Sequence, residues 1–203
     1  MKSKIFAFVL MLTLVFSFAA CGSKSDTESN ASEVIDTTLK GKHYAVITVK
    51  DLGEIELELD ADTAPITVQN FIDLAKDGFY DGLTFHRIIE DFMIQGGDPE
   101  GTGRGGSGTN IKGEFTANGV ENNISHKRGV ISMARAQNFD SASSQFFIVH
   151  EDSPHLDGQY AAFGHVTSGM EIVDKLAKNT PVEDINGTVK SENQPIIESI
   201  VIK

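Results

Sequence analysis

The chain has 203 residues, 40% hydrophobic and 23% charged, with a formal net charge of −12, 19 Gly, no Trp and a single Cys. That length suits one domain with appendages, the composition excludes a disordered chain or a multi-span membrane protein, and an acidic balance without a Lys or Arg run excludes nucleic acid as a partner. One Cys can form neither an internal disulfide nor a Cys-based zinc site.

Residues 1–20 read as an address. Lys2 and Lys4 form a basic start, and Ile5–Ala20 is apolar except for Thr13 and Ser17, the layout of a secretory signal and too short for a spanning helix. Phe18-Ala19-Ala20-Cys21-Gly22 resembles the lipobox of bacterial lipoproteins, with Phe18 where Leu is usual. The resemblance implies lipidation of Cys21 as the mature N-terminus and a protein anchored to the cell membrane, facing outside the cytoplasm. Cleavage removes Lys2 and Lys4, leaving 15 basic against 29 acidic residues. Each buried lipid methylene contributes about 0.8 kcal/mol, so a diacylated Cys anchors stably. Together with Cys21, residues 22–41, rich in Ser, Thr, Asp, Asn and Glu, read as a flexible tether. Twenty such residues reach about 65–70 Å when extended.

A β-rich domain is expected over residues 42–203. His43–Val49 and Glu54–Leu59 alternate apolar and polar residues around Lys50-Asp51-Leu52-Gly53, a hairpin signal. A helix is predicted from Thr63, as N-cap, to about Asp77, with Pro65 in its first turn, Gly78 as its stop, and Val68, Phe71, Ile72 and Ala75 on one face. Strand-like runs follow at Leu83–Ile89, Phe92–Ile94, Gly129–Ala134, Gln145–Val149, Tyr160–Val166 and Ile196–Ile202, with a second short helix over Ser168–Lys178. Many short strands with two helices indicate an antiparallel barrel or sandwich.

Several local patterns carry no chemistry. Gly101-Thr-Gly103-Arg-Gly-Gly106 matches G-x-G-x-x-G, but it opens no helix and continues into Ser107-Gly108-Thr109-Asn110, so it reads as a surface loop. The six His residues show no metal-ligand spacing and read as structural or surface residues. Cys21 lies at the lipid junction, outside any folded pocket. Asn123-Ile-Ser125 and Asn186-Gly-Thr188 fit a glycosylation pattern that a bacterial-type signal makes idle.

What remains is Phe85-His86-Arg87-Ile88-Ile89, Phe92-Met93-Ile94-Gln95-Gly96-Gly97-Asp98, Ser132-Met133-Ala134-Arg135-Ala136, Ser144-Gln145-Phe146-Phe147-Ile148 and Leu156-Asp157-Gly158 with Phe163-Gly164. Strand alternation puts Phe85 and Arg87 on one face, and Gln145 and Phe147 on one face of another strand. Periodicity alone leaves core and pocket readings of these residues equal. In order and spacing, however, the five segments closely resemble the cyclophilin family of peptidyl-prolyl cis–trans isomerases over residues 44–202. The resemblance implies a mainly β fold, a closed eight-stranded antiparallel barrel capped by two α-helices. It implies Arg87 as the catalytic arginine with Gln95 beside it. Phe92, Met93, Ala134, Gln145, Phe147 and Leu156 are implied to line the proline pocket and groove. Arg135 replaces an Asn whose main chain binds substrate, and Glu90-Asp91 replaces a frequent Pro-Gly pair. His155 and Tyr160 stand at pocket-edge positions of a Trp and a His, which implies weakened cyclosporin binding.

Rotation about an X–Pro bond meets a barrier near 20 kcal/mol from amide resonance, and no bond need break. The resemblance therefore implies an enzyme without cofactor or metal, a monomer whose partners are proline-containing unfolded or exported polypeptides and whose role is to assist their folding. A proline-peptide binding module or surface adhesin, using the same pocket without turnover, is the competing reading.

Overall fold

The structure, a computed structural model, describes residues 38–203. The signal 1–20, Cys21 and the tether as far as residue 37 lie outside the described residues. Leu39 already packs against the core, and the Gly41 amide donates to Asp62 Oδ1 at 2.9 Å, so contact with the domain begins inside the stretch assigned to the tether.

Strand β1 (Lys42–Val49) pairs antiparallel with β2 (Gly53–Asp60), placing Ile47 opposite Ile55 and Ala45 opposite Leu57. Ile55, Leu57 and Leu59 are buried while Glu54, Glu56 and Glu58 face outward, as period-2 alternation requires. Helix α1 (Pro65–Lys76) buries Val68, Phe71, Ile72 and Ala75. Its N-cap is Ala64, which corrects the expectation for Thr63: the Thr63 hydroxyl donates instead to Asp60 Oδ2 at 3.0 Å. The open amides of the first turn are met from far along the chain. Buried Glu114 accepts from the Ile66 and Thr67 amides at 3.0 and 2.8 Å and from the Thr67 hydroxyl at 2.7 Å. An anion at a helix N-terminus also suits the helix dipole.

The remaining elements are β3 (Thr84–Ile89), β4 (Met93–Asp98), β5 (Val130–Met133), β6 (Phe146–Val149), β7 (Ala162–Ser168), α2 (Met170–Asn179) and β8 (Ile197–Ile202). The eight strands form one antiparallel sheet in the order β3-β4-β6-β5-β7-β2-β1-β8. This sheet is open, which corrects the expectation of a closed barrel. Among the described residues, the ends of the sheet meet through one isolated bridge, Thr84 with Ile196, and through bonds from the Phe85 amide to the Pro195 carbonyl, from the Ile197 amide to the Leu83 carbonyl and from the Gly82 amide to the Ile197 carbonyl. The physical reason lies on the edge of β3. Pro195 has no N–H to return, and beyond it the edge is occupied by residues 187–189: the Ile88 amide donates to Gly187 O at 2.8 Å and the Val189 amide to His86 O at 3.0 Å.

The concave face and the helices enclose the main core. Phe71 of α1 meets Tyr80, Phe146 and Phe163 at ring distances of 5.3, 5.6 and 5.4 Å, and α2 adds Ile172, Val173, Leu176 and Ala177. A smaller cluster of Met93, Val130, Phe147, Val149, Leu156 and Ala162 lies apart from it.

Candidate functional site

The site begins with an irregularity in β3. Phe85 pairs with Gly96 and Arg87 with Gln95, so His86 is an extra residue without a partner on β4. Such a bulge turns neighbouring side chains to one side. Phe85 and Ile88 enter the core, whereas His86 and Arg87 both face a cavity on the other side of the sheet. The expectation that Phe85 and Arg87 share a face is corrected accordingly. Gly97 absorbs the matching shift on β4: its φ is +83°, and a Cβ there would lie 2.6 Å from the Ser144 carbonyl.

The cavity holds about 370 Å³. Of the residues singled out in the sequence, Arg87, Phe92, Met93, Gln95, Ala134, Arg135, Phe147, Leu156 and Tyr160 line it. Arg87 is fixed from two sides. Its Nε donates to the Asn186 carbonyl at 2.8 Å, and its Nη1 donates to Gln95 Oε1 at 3.2 Å, with Met93 Sδ at 3.9 Å. Among the described residues Nη2 has no hydrogen-bond partner. Burial pulls the guanidinium pKa down, partly offset by Tyr160 and Asp184, yet an arginine remains charged at neutral pH. Gln95 Nε2 donates in turn to Gln145 Oε1 at 2.9 Å, and Gln145 Nε2 to the Gly105 carbonyl at 2.8 Å. This polar relay sets the orientation of both amides. Gln145 therefore stands behind Gln95 and does not line the cavity.

The apolar wall is also braced. Phe147 stacks on His126 at 6.0 Å and meets the edge of Tyr160 at 5.8 Å. His126 donates from Nδ1 to Asp157 at 2.9 Å and accepts from the Ser132 hydroxyl at Nε2. Burial lowers its pKa more than Asp157 raises it, so the imidazole is held neutral. Phe92 lies 6.0 Å from the guanidinium carbon of Arg87, and His155 leans on the far side of Phe92 at 5.5 Å, outside the cavity lining. The Arg135 guanidinium packs over the rings of Tyr160, Phe115 and Phe139. It donates to the Gln159 carbonyl and sits 4.7 Å from the centre of the Tyr160 ring.

Sequence reasoning missed His86, Gly101, Thr102, Gly103, Asn186 and Thr188, all of which line the cavity. His86 is buried, and burial lowers its pKa below the ordinary value against the opposing pull of Asp98 and the nearby Gln145 side chain. The glycine loop is pulled onto the rim by Asp98. That carboxylate accepts from the amides of Glu100, Thr102, Gly103 and Arg104 at 2.6–3.1 Å. Burial alone would raise the Asp98 pKa, but these bonds outweigh it and hold the group below the usual carboxylate range. The loop amides are spent on an internal anion, so they are not offered to a phosphate. An Asp three residues before a glycine-rich run was the available signal. No group of three or more His, Cys, Asp or Glu suited to a metal occurs among the described residues.

A family model described as cyclophilin type peptidyl-prolyl cis-trans isomerase/CLD matches residues 44–203. The chain is 47% identical over 137 residues to peptidyl-prolyl cis-trans isomerase B of Bacillus subtilis, covering 68% of this chain and 92% of that one. It is 45% identical over 155 residues to a peptidyl-prolyl cis-trans isomerase of Helicobacter pylori, covering 75% and 91%. The fold superposes on a cyclophilin-type isomerase of Cryptosporidium parvum with a TM-score of 0.70 at 32% identity, covering 80% and 98%. A second structure of that protein, in the presence of the dipeptide Ala-Pro, superposes with a TM-score of 0.69. With Arg87 and Gln95 joined over an apolar slot and the family match reaching into all eight strands, the chain belongs to the cyclophilin-type peptidyl-prolyl cis-trans isomerases.

Proposed function

We propose that this cyclophilin-family isomerase speeds rotation about X–Pro bonds in exported polypeptides and so assists their folding, working as a monomer from a lipid anchor at Cys21 outside the cytoplasmic membrane. The observation that carries the catalytic part is the Arg87 guanidinium, held by Asn186 and Gln95 at an apolar slot with Nη2 unengaged among the described residues. In the twisted transition state amide resonance is lost and the proline nitrogen becomes pyramidal with an available lone pair. A guanidinium N–H bonds that nitrogen better than it bonds the planar ground state, which is the requirement for catalysis. Gln95 holds Arg87 in place, while Phe92, Met93, Phe147 and Leu156 grip the ring so that the preceding carbonyl swings. The main chain at Arg135 aligns the peptide, Ala134 lines the slot, and Gln145 steadies Gln95.

Uncatalysed exchange takes tens of seconds, so turnover near ~10³ s⁻¹ is an acceleration of roughly 10⁵, or about 7 kcal/mol. One charged hydrogen bond supplies a few of these, and apolar positioning and desolvation supply the rest. Secreted chains emerge unfolded with slow X–Pro bonds, which suits an isomerase tethered where they emerge. Weakened cyclosporin binding follows from the small imidazole of His155 and from Tyr160 at positions where sensitive relatives place a Trp and a His.

A protease-coupled assay on a prolyl peptide tests the activity. The purified chain is expected to accelerate isomerisation, and Arg87→Ala to lose about 10²–10³ in kcat/KM with an unchanged melting temperature. Peptide retention without acceleration in the wild type would instead mark a binding module. Mass spectrometry of the mature N-terminus tests the anchor, since a Cys21 without lipid would make the protein freely secreted.

A further inference from the structure

We propose that Asp184 is a positioning residue for the isomerase reaction, acting on the Arg87 guanidinium through the loop of residues 183–189. The inference rests on the reading of Arg87 as the group that meets the proline nitrogen. Arg87 Nε bonds a main-chain oxygen, that of Asn186, at 2.8 Å. The place of a carbonyl is set by the shape of its loop, so the question becomes what holds the shape.

Packing does not hold it. Ile185, beside Asn186, is 95% exposed, and Val182 is also exposed. Strand-like pairing fixes only the base: Gly187 O accepts from Ile88, the Val189 amide donates to His86 O, and the Glu183 amide donates to Thr188 O. Gly187 fits closely at φ +80°, where a Cβ would collide with the Ile88 carbonyl. At the tip a main-chain bond from the Gly187 amide to the Asp184 carbonyl at 3.1 Å closes a turn, and the Asp184 carboxylate supplies the side-chain ties. Asp184 Oδ1 accepts from the amides of Asn186 at 2.9 Å and Thr188 at 3.2 Å, and Oδ2 accepts from the Thr188 hydroxyl at 3.1 Å. The Asn186 amide bonded to Asp184 and the Asn186 carbonyl bonded to Arg87 flank one α-carbon, so release of the first loosens the turn that aims the second. Those same bonds, with the Thr188 amide foremost, keep Asp184 ionised below the usual carboxylate range. An exposed carboxylate contributes nothing to the core, so its loss would reach function and spare the fold.

The test compares Asp184→Ala and Asp184→Asn in the full chain, each with and without Arg87→Ala. Asp184→Ala is expected to lower kcat/KM by about tenfold, mainly in kcat. Asp184→Asn keeps an acceptor oxygen without the charge, and most of the activity is expected to return. In the Arg87→Ala background Asp184→Ala is expected to have no further effect. The Arg87 Nε–H resonance, identified by its loss in Arg87→Ala, is expected to broaden in Asp184→Ala and to recover in Asp184→Asn. An Asp184→Ala activity within about twofold of wild type, an equal loss in the Arg87→Ala background, or an unchanged Nε–H resonance overturns the proposal. Full activity of Arg87→Ala alone overturns the reading of Arg87 instead.

Discussion

The two faces of the sheet are built from the same strands and do opposite work. On β6, Phe146 points into the concave core, edge-on to Phe71 and Tyr80, while its neighbour Phe147 points outward into the cavity against His126 and Tyr160. On β4, Ile94 lies in the core between Met93 and Gln95, which both line the cavity. The inner face is closed by helices and aromatic contacts. The outer face keeps an apolar slot open and fills its rim with hydrogen-bonded polar groups. Adjacent residues thus divide stability from chemistry with a period of two, and a rigid inner face holds the outer one in register.

The sharpest way to break that division is a matched pair of truncations. Phe146→Ala is expected to cost about 3–5 kcal/mol, read as a lower denaturant midpoint, because it opens a cavity among Phe71, Tyr80 and Phe85. Phe147→Ala should leave a folded protein with impaired isomerase activity, and equal stability losses for the two would erase the distinction. Next in size, Glu114→Ala removes the acceptor for the Ile66 and Thr67 amides and is expected to cost about 2 kcal/mol in chemical unfolding. Activity at temperatures where the variant is folded should survive, since Glu114 serves the inner face.

Acid should act on the outer rim through Asp98. Its folded pKa lies below the unfolded value, so the unfolded state takes up the proton first and stability falls with falling pH. The contribution is complete above the ordinary carboxylate value near ~4 and is lost as pH drops through the lower folded pKa. Asp98→Asn is expected to flatten that acid limb in a pH series of thermal melts. The smallest effect is expected at the β3–β4 turn. Asp91 holds φ +61° where glycine is at ease, so Asp91→Gly should stabilise by about 1 kcal/mol or less, with unchanged turnover.

Much of the inner face was legible in the sequence. Alternation in Glu54–Leu59 and helical spacing of Val68, Phe71, Ile72 and Ala75 are local signals, and both elements form with those residues buried. The spaced segments around Arg87 and Gln95 were legible as a family pattern. The outer rim was less so. Alternation assigned Arg87 to the face of Phe85 because a bulge at His86 leaves no local mark. Gly101–Gly103 and Asn186–Thr188 read as idle loops, since what brings them to the cavity is the Asp98 carboxylate in one case and the edge of β3, about a hundred residues away, in the other. Thr63 looked like the helix cap because sequence shows only near neighbours, whereas Glu114 arrives from 47 residues away.

By itself, then, the sequence determined what depends on near neighbours: which residues alternate, where the helices and turns fall, and which ordered motifs accompany Arg87. Tertiary structure alone decided that the sheet stays open, because β3 has one free edge and residues 187–189 share it with the approach to β8. The same sharing places the Asn186 carbonyl against Arg87. A hydrogen bond between residues 99 positions apart depends on how strands pair, and strand pairing is a property of the whole folded sheet.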